Sequence, residues 1–220
     1  MKHILALDLG TTKFCLAREA KEATTSSFAF VSVKAQGMRK GMLSDYLLAK
    51  EALENLLRLA EQQFTQRIEN IALGVAGRHL KGSVQQTTNN IKDFFVTKRI
   101  LADQENLLRA AHETNEEVLH VLPIDHKIDD RPWTTNALGL SGLKITSRFL
   151  VICADKFYLR DLVSLCNACG LHVEKIFAEP FASAFSIAKD STSSTNYAVA
   201  DIGGGTTDVI VFKHGKPIGV

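Results

Sequence analysis

Two segments of this chain carry the same chemistry: Asp8-Leu9-Gly10-Thr11-Thr12-Lys13 near the start, and Asp201-Ile202-Gly203-Gly204-Gly205-Thr206-Thr207-Asp208 near the end. Each ends an apolar run on a carboxylate, turns through glycine, and presents paired threonines. Glycine brings backbone amides close to a ligand, successive amides in a turn form an anion-binding concavity, and threonine hydroxyls rotate to donate where needed. An aspartate facing phosphate is repelled by it unless a cation stands between. Asp8 and Asp201 therefore suit Mg²⁺, which keeps much of its water and binds through one or two carboxylates. Lys13 supplies a positive charge against phosphate. For one loop alone, a tight hairpin with Asp capping its turn explains the residues as well. Turn chemistry does not explain why the order Asp, Gly, Thr, Thr recurs.

The pattern predicts strands around both segments. Residues 4–9 and 14–18 form a first hairpin, and Ser26 to Val33 a third strand. A glycine-punctuated loop, residues 36–42, leads to a helix capped by Ser44 or Asp45, with Leu47, Leu48, Ala52, Leu56, Leu59 and Ala60 on one face up to about Gln63. Asn70 to Ala76 is apolar and of strand length, suited to the middle of a covered sheet. From Leu80 the character changes. Gln85 to Asn90 is polar, Phe94-Phe95-Val96 reads as a brief strand, and Asp103 to Thr114 as a helix with Leu107, Leu108 and Ala111 inward. Val118–Pro123 and Leu143–Ile152 read as strands joined by the exposed Asp129–Asn136 connection. Asp155 to Cys169 is an amphipathic helix stopped at Gly170. Val173–Ala178 is a strand, and Phe181–Ala188 a short helix with Pro180 in its first turn. Asp190–Thr195 is a flexible turn, and a second hairpin closes at Lys213–Lys216.

Composition excludes several function classes. With 26 basic and 24 acidic residues among 220 and no basic block, the chain lacks the electrostatic footprint of a nucleic-acid binder. No apolar run approaches the ~20 residues of a membrane helix, and the start does not resemble a signal peptide, so a cytoplasmic protein is expected. The four cysteines lie in apolar segments; Cys166 and Cys169 have redox or metal spacing but no second ligand pair nearby. None of the seven histidines forms a metal-protease pair.

The two segments resemble the first and second phosphate motifs of the actin-like ATPase superfamily, and Glu179-Pro180-Phe181-Ala182-Ser183-Ala184 resembles its first connecting helix. Within it, Gly37-Met38-Arg39-Lys40-Gly41, Val121-Leu122-Pro123-Ile124, Gly139-Leu140-Ser141-Gly142 and Cys169-Gly170-Leu171 are similar to the bacterial cell-division FtsA family, in the right order across the chain. The resemblance implies an α/β fold: an actin-like (ribonuclease H-like) ATPase lobe with an inserted α+β subdomain of the 1C type. Residues 1–79 and 155–220 would form subdomain 1A with both phosphate loops, and 80–154 the insertion. It implies ATP and Mg²⁺ as cofactors. Asp8 and Asp201 would face the metal, and Gly10, Thr11, Thr12, Lys13, Gly203, Gly204, Gly205, Thr206 and Thr207 would line the phosphates. Glu179 would orient water or metal as a catalytic group, or else cap the helix begun by Pro180.

As partners the resemblance implies self-assembly into polymers, the tubulin-like FtsZ, and late division proteins through 80–154. Contact with the cytoplasmic face of the inner membrane at the division site would come through a C-terminal amphipathic tail. The family's second lobe, with its adenosine loop and FtsZ contact, and the tail would both lie beyond Val220. Weak or absent ATP affinity, and no ATPase activity, is therefore the expectation for residues 1–220 alone. A pilus-assembly relative of the PilM type and a small-molecule kinase of the same fold are the alternatives. A kinase needs a base beside a substrate pocket, and no acid or histidine outside the two loops stands out for it.

Overall fold

The computed structural model describes residues 5–19, 28–111, 115–187 and 195–220. His3, Ile4, Ser26, Thr114, Ala188 and most of the turn expected at 190–195 lie outside them. Strands β1 (Leu5–Leu9), β2 (Lys13–Glu19) and β3 (Phe28–Lys34) lead into a short hairpin, β4 (Met38–Arg39) and β5 (Met42–Leu43). Helix α1 (Tyr46–Phe64) and β6 (Asn70–Val75) follow, then β7 (Leu80–Asn90), α2 (Lys98–Ala110), β8 (Glu116–Ile128) and β9 (Lys144–Asp155). The chain continues through α3 (Lys156–Ala168), β10 (His172–Ala178), α4 (Glu179–Ile187), β11 (Tyr197–Ile202), β12 (Thr207–Lys213) and β13 (Lys216–Gly219).

Two compact units emerge. The first comprises Met1–His79, Lys156–Ala182 and Ala200–Asp208; the second comprises Leu80–Asp155, Ser183–Val199 and Val209–Val220. In the first unit a five-stranded sheet runs β10-β6-β1-β2-β3, with β6 parallel to β1 and β10 and the rest antiparallel. Alternation decides its faces: Leu5, Leu7 and Leu9 are buried, while Ala6 and Asp8 point the other way and are not. On the buried face α1 packs on β2 and β3, and α3 on β10 and α1. Fully burying leucines such as Leu7, Leu16, Leu53 and Leu56 contributes roughly 1.5–3 kcal/mol each.

Asp45 is the N-cap of α1, its carboxylate accepting from the Leu48 amide at 3.1 Å, and Thr65 ends the helix in the left-handed region. The buried stripe differs from the expected one. Ala49, Ala52, Leu53, Leu56, Leu57, Ala60 and Phe64 face inward, whereas Leu47 and Leu48 are exposed, because the sheet meets the helix only after its first turn.

The second unit holds a three-stranded antiparallel sheet, β7-β9-β8, with α2 over one face. Alternate residues of β9 meet that helix layer: Ile145 in one apolar cluster, and Phe149, Val151 and Cys153 with Leu108 and Val121 in another. The polar stretch Gln85–Asn90 is the second half of β7, an edge strand held by its ladder to β9 from Leu80↔Ala154 to Asn90↔Lys144. Phe94-Phe95-Val96 is not a strand. Phe94 takes φ +62°, both phenylalanines are exposed, and only Phe95 makes an isolated bridge, to Ser141. Helix α2 starts earlier than expected, capped by Thr97, and buries Gln104 and Leu108 while Leu107 is exposed. The turn at His214-Gly215 does not end the sheet but leads into the third strand, β13.

Candidate functional site

Asp8 is the fourth residue of β1, on the face opposite the leucines. Beyond it Gly10 to Thr12 turn the chain into β2, where a Cβ on Gly10 would approach the Lys13 carbonyl to 3.0 Å. Asp201 occupies the matching place on β11, and Gly203 to Thr206 turn it into β12, closed by the Gly203 amide donating to the Thr206 carbonyl at 2.9 Å.

These turns, with Gly203 lying 193 residues after Gly10 in sequence, come into contact. A Cβ on Gly204 would fall 2.1 Å from Thr12 Cγ2, and one on Gly205 would fall 2.7 Å from Thr11 Oγ1 and 2.8 Å from Lys40 Cα. Only glycine fits between them. The β4–β5 hairpin is the third wall: its Gly41 amide donates to Thr11 Oγ1 at 2.9 Å. A fourth is Ala76-Gly77 after β6, where the Gly77 amide donates to Asp208 Oδ1 at 3.0 Å and the Ala76 carbonyl accepts from the Tyr158 hydroxyl at 3.4 Å.

Together they enclose a cleft of about 320 Å³, all of it within the first unit. Asp8, Gly10, Thr11, Thr12, Lys13, Glu179, Asp201, Gly203, Gly204, Gly205 and Thr206 line it. Thr207 starts β12 with its side chain exposed and does not line it. Gly41, Gly74, Ala76 and Tyr158 also line the cleft, and Asp208 braces it. Among these, Gly41 lay in a recognisable glycine loop and Asp208 in the second motif itself. Nothing local marks Tyr158, which arrives on the buried side of α3 and stacks on His79 with ring centroids 4.4 Å apart.

The electrostatics are strained toward negative charge. Asp8 Oδ1 is buried with no hydrogen-bond partner. Burial pushes the Asp8 carboxyl above its usual range, with Lys13 opposing and Asp201 adding to the rise. Glu179, first residue of α4, is pushed up to about 8 by burial, then by the charges of Asp8, Asp201 and Asp208. Its carboxyl lies against Gly74, where a Cβ would meet Glu179 Oε1 at 2.9 Å. A cluster of acids around a buried orphan oxygen, with amides and hydroxyls from two glycine turns beside it, fits a hydrated divalent cation and a phosphate chain. Among the described residues, no group of three or more His, Cys, Asp or Glu side chains is disposed to hold a metal directly.

The cysteines are free thiols. Burial raises the Cys166 thiol to about 12 and the Cys169 thiol to about 11, the behaviour of core residues. Among the described residues no helix is long and apolar enough to cross a membrane.

No family model matches the chain. Curated relatives do. The chain is 28% identical over 221 residues to cell division protein FtsA of Pseudomonas aeruginosa, covering 97% of this chain and 52% of that protein. It is 26% identical to FtsA of Neisseria meningitidis and 25% identical to FtsA of Escherichia coli K12, with the same coverage. The chain thus spans about half the length of the curated relatives it matches. Among solved structures, the PilM–PilN type IV pilus biogenesis complex aligns with TM-score 0.66 at 14% identity, covering 98% of this chain and 59% of that one. The ethanolamine utilization protein EutJ of Carboxydothermus hydrogenoformans aligns with TM-score 0.51 at 17% identity, covering 98% and 49%. The fold is an actin-like α/β lobe, and in sequence the chain resembles the cell-division protein FtsA rather than the pilus protein.

Proposed function

We propose that residues 1–220 are the phosphate-gripping lobe of an FtsA-like cell-division protein that binds ATP with Mg²⁺, forms polymers, and links FtsZ to the cytoplasmic face of the membrane at the division site. The observation that carries the reading is the meeting of two glycine–threonine turns over one acid-lined cleft, each led by an aspartate. Asp8 and Asp201 would hold the cation through its water, with the orphaned Asp8 Oδ1 as the group most in need of it. When bound, the cation would neutralise phosphate charge that the carboxylates otherwise repel. The amides of Gly10, Gly204 and Gly205 and the hydroxyls of Thr11, Thr12 and Thr206 are the proposed phosphate donors, with Gly203 closing the second turn through its bond to the Thr206 carbonyl and Lys13 as the fixed positive charge.

Glu179 is the group we assign to orienting water beside the terminal phosphate, since it shares the cleft wall with Asp8. Residues 1–79 with 155–220 would act as subdomain 1A and residues 80–154 as the 1C insertion, the surface for late division proteins. FtsZ and the membrane would be engaged by parts corresponding to the remaining half of the relatives.

The test joins residues 1–220 to the second half of the Pseudomonas relative and titrates a fluorescent ATP analogue with and without Mg²⁺. Asp201→Ala is expected to abolish Mg²⁺-dependent binding, a loss of about a hundredfold or more. Unchanged affinity overturns the clamp. Co-sedimentation of the same joined protein with FtsZ tests the division reading, and sugar-stimulated turnover would replace it with a kinase.

A further inference from the structure

A second cleft lies wholly within the second unit, about 440 Å³ in volume, and owes nothing to the phosphate turns. It opens on the face of β9 away from α2. Its walls are Val84 of β7, Ile124 and Asp125 of β8, Thr135, Arg148 of β9, and Lys213, His214, Lys216 and Ile218 from the β12–β13 hairpin.

Three features give this cleft a sign. First, Lys213 and Lys216 are directly paired across the hairpin, an arrangement in which like charges repel, and neither makes an ion pair among the described residues. The Lys216 charge reaches inward: burial lowers the His126 imidazole, Asp125 opposes, and Lys216 lowers it further. Second, the one carboxylate of the cleft is already engaged. Asp125 takes both Nε and Nη2 of Arg148 in a bidentate pair, which leaves the Nη1 donors. Third, Arg148 is held in place, its guanidinium lying over the Trp133 ring at 4.3 Å from the centroid. A guanidinium fixed by a carboxylate beside it and an indole beneath it loses little freedom when it meets a second acid.

Between these charges the lining is aliphatic: Val84, Ile124 and Ile218. Inorganic phosphate or a lipid headgroup has no use for that surface. A short peptide does, because carboxylates and aliphatic side chains alternate along an extended strand at the spacing of the pleat.

We propose that this cleft docks an acidic peptide segment of a partner protein, one that alternates Asp or Glu with Ile, Leu or Val. Lys213 and Lys216 receive its carboxylates, Arg148 supplies its remaining Nη1 donors at one end, and Val84, Ile124 and Ile218 take its aliphatic side chains. The repulsion between Lys213 and Lys216 in the free protein is relieved when the peptide is bound.

Trp133 is the chain's single tryptophan, so its fluorescence reports the cleft without a label. Residues 1–220 would be titrated with a tryptophan-free heptapeptide alternating acidic and aliphatic residues, with its Asn/Gln counterpart, with inorganic phosphate, and with vesicles of phosphatidylglycerol. The acidic peptide is expected to saturate the signal, and the amide counterpart to bind about tenfold or more weakly. The double variant Lys213→Gln, Lys216→Gln is expected to lose about tenfold in affinity while its melting temperature stays level or rises, since a repulsion has gone. A merely structural role for the lysines would lower the melting temperature instead. Equal binding of the amide peptide, or an unaltered affinity in the double variant, overturns the proposal. So does saturation by phosphate or vesicles with no response to the peptide.

Discussion

The two units treat their buried polar groups in opposite ways. In the first, Asp8, Glu179 and Asp201 line one cleft with Asp208 bracing it, burial and then the neighbouring carboxylates raise the Glu179 carboxyl, burial raises Asp8, and a buried oxygen of Asp8 has no partner. In the second, the polar core closes on itself. Ser147 Oγ donates to Gln104 Oε1 at 2.7 Å and meets His126 Nδ1 at 2.7 Å, and Asp125 pairs with Arg148. Full satisfaction makes a polar network a scaffold; a deficit of positive charge makes a cleft a site. The first unit leaves a buried carboxylate oxygen without a partner, the feature on which the proposed cation site rests, whereas the second unit's open feature is on its surface.

That contrast has opposite signs in pH. Glu179 is raised from 4.5 to about 8, so in metal-free protein the folded state holds a proton that the unfolded chain releases, and stability falls as pH rises from about 4.5 to 8. The loss is up to roughly 5 kcal/mol, the largest effect expected here. Glu179→Gln should flatten it, read by hydrogen exchange of first-unit peptides in EDTA; a slope that survives the substitution assigns the repulsion elsewhere.

His120, in the second unit, is lowered to about 4 by burial and then by Arg109. Stability there is present above about 6.5 and is lost as pH falls through 4, by up to roughly 3 kcal/mol. His120→Gln should reduce that acid slope in Trp133-monitored denaturation and leave the first-unit slope alone. If both slopes move together, the units are not energetically separate.

The smallest expected effect is steric. Gly205→Ala places a methyl group against the Lys40 backbone and Thr11, costing roughly 2 kcal/mol and spreading the turns. In the joined protein its ATP-analogue affinity should drop while acidic-peptide binding to the second unit is untouched.

Strands with alternating or continuous apolar residues, such as β1 and β6, were legible because each carries its own burial pattern. The Asp45 cap was legible for the same local reason. Strand β7 was not: Gln85 to Asn90 shows no apolar face, and the segment is a strand because β9 offers its backbone groups a ladder. Phe94 and Phe95 misled in the other direction, apolar by type yet exposed at a left-handed turn. The start of α2 at Thr97 carried a cap signal that the polar residues after it obscured.

At the cleft, the glycines, threonines and the two leading aspartates were visible as a repeated order of residue types, and that recurrence with the family resemblance was the ground for expecting the two turns to meet. Nothing local announced the arrival of Tyr158 from α3, of Gly41 from a separate hairpin, or of the Gly77 amide on Asp208. Residue type and spacing determine what each turn can offer a phosphate, because amide exposure and backbone freedom are properties of a few neighbouring residues. Which turns share one cleft, and that burial and neighbouring charge raise the Asp8 and Glu179 carboxyls there, only the tertiary structure decided, because charge repulsion and burial depend on distance through space.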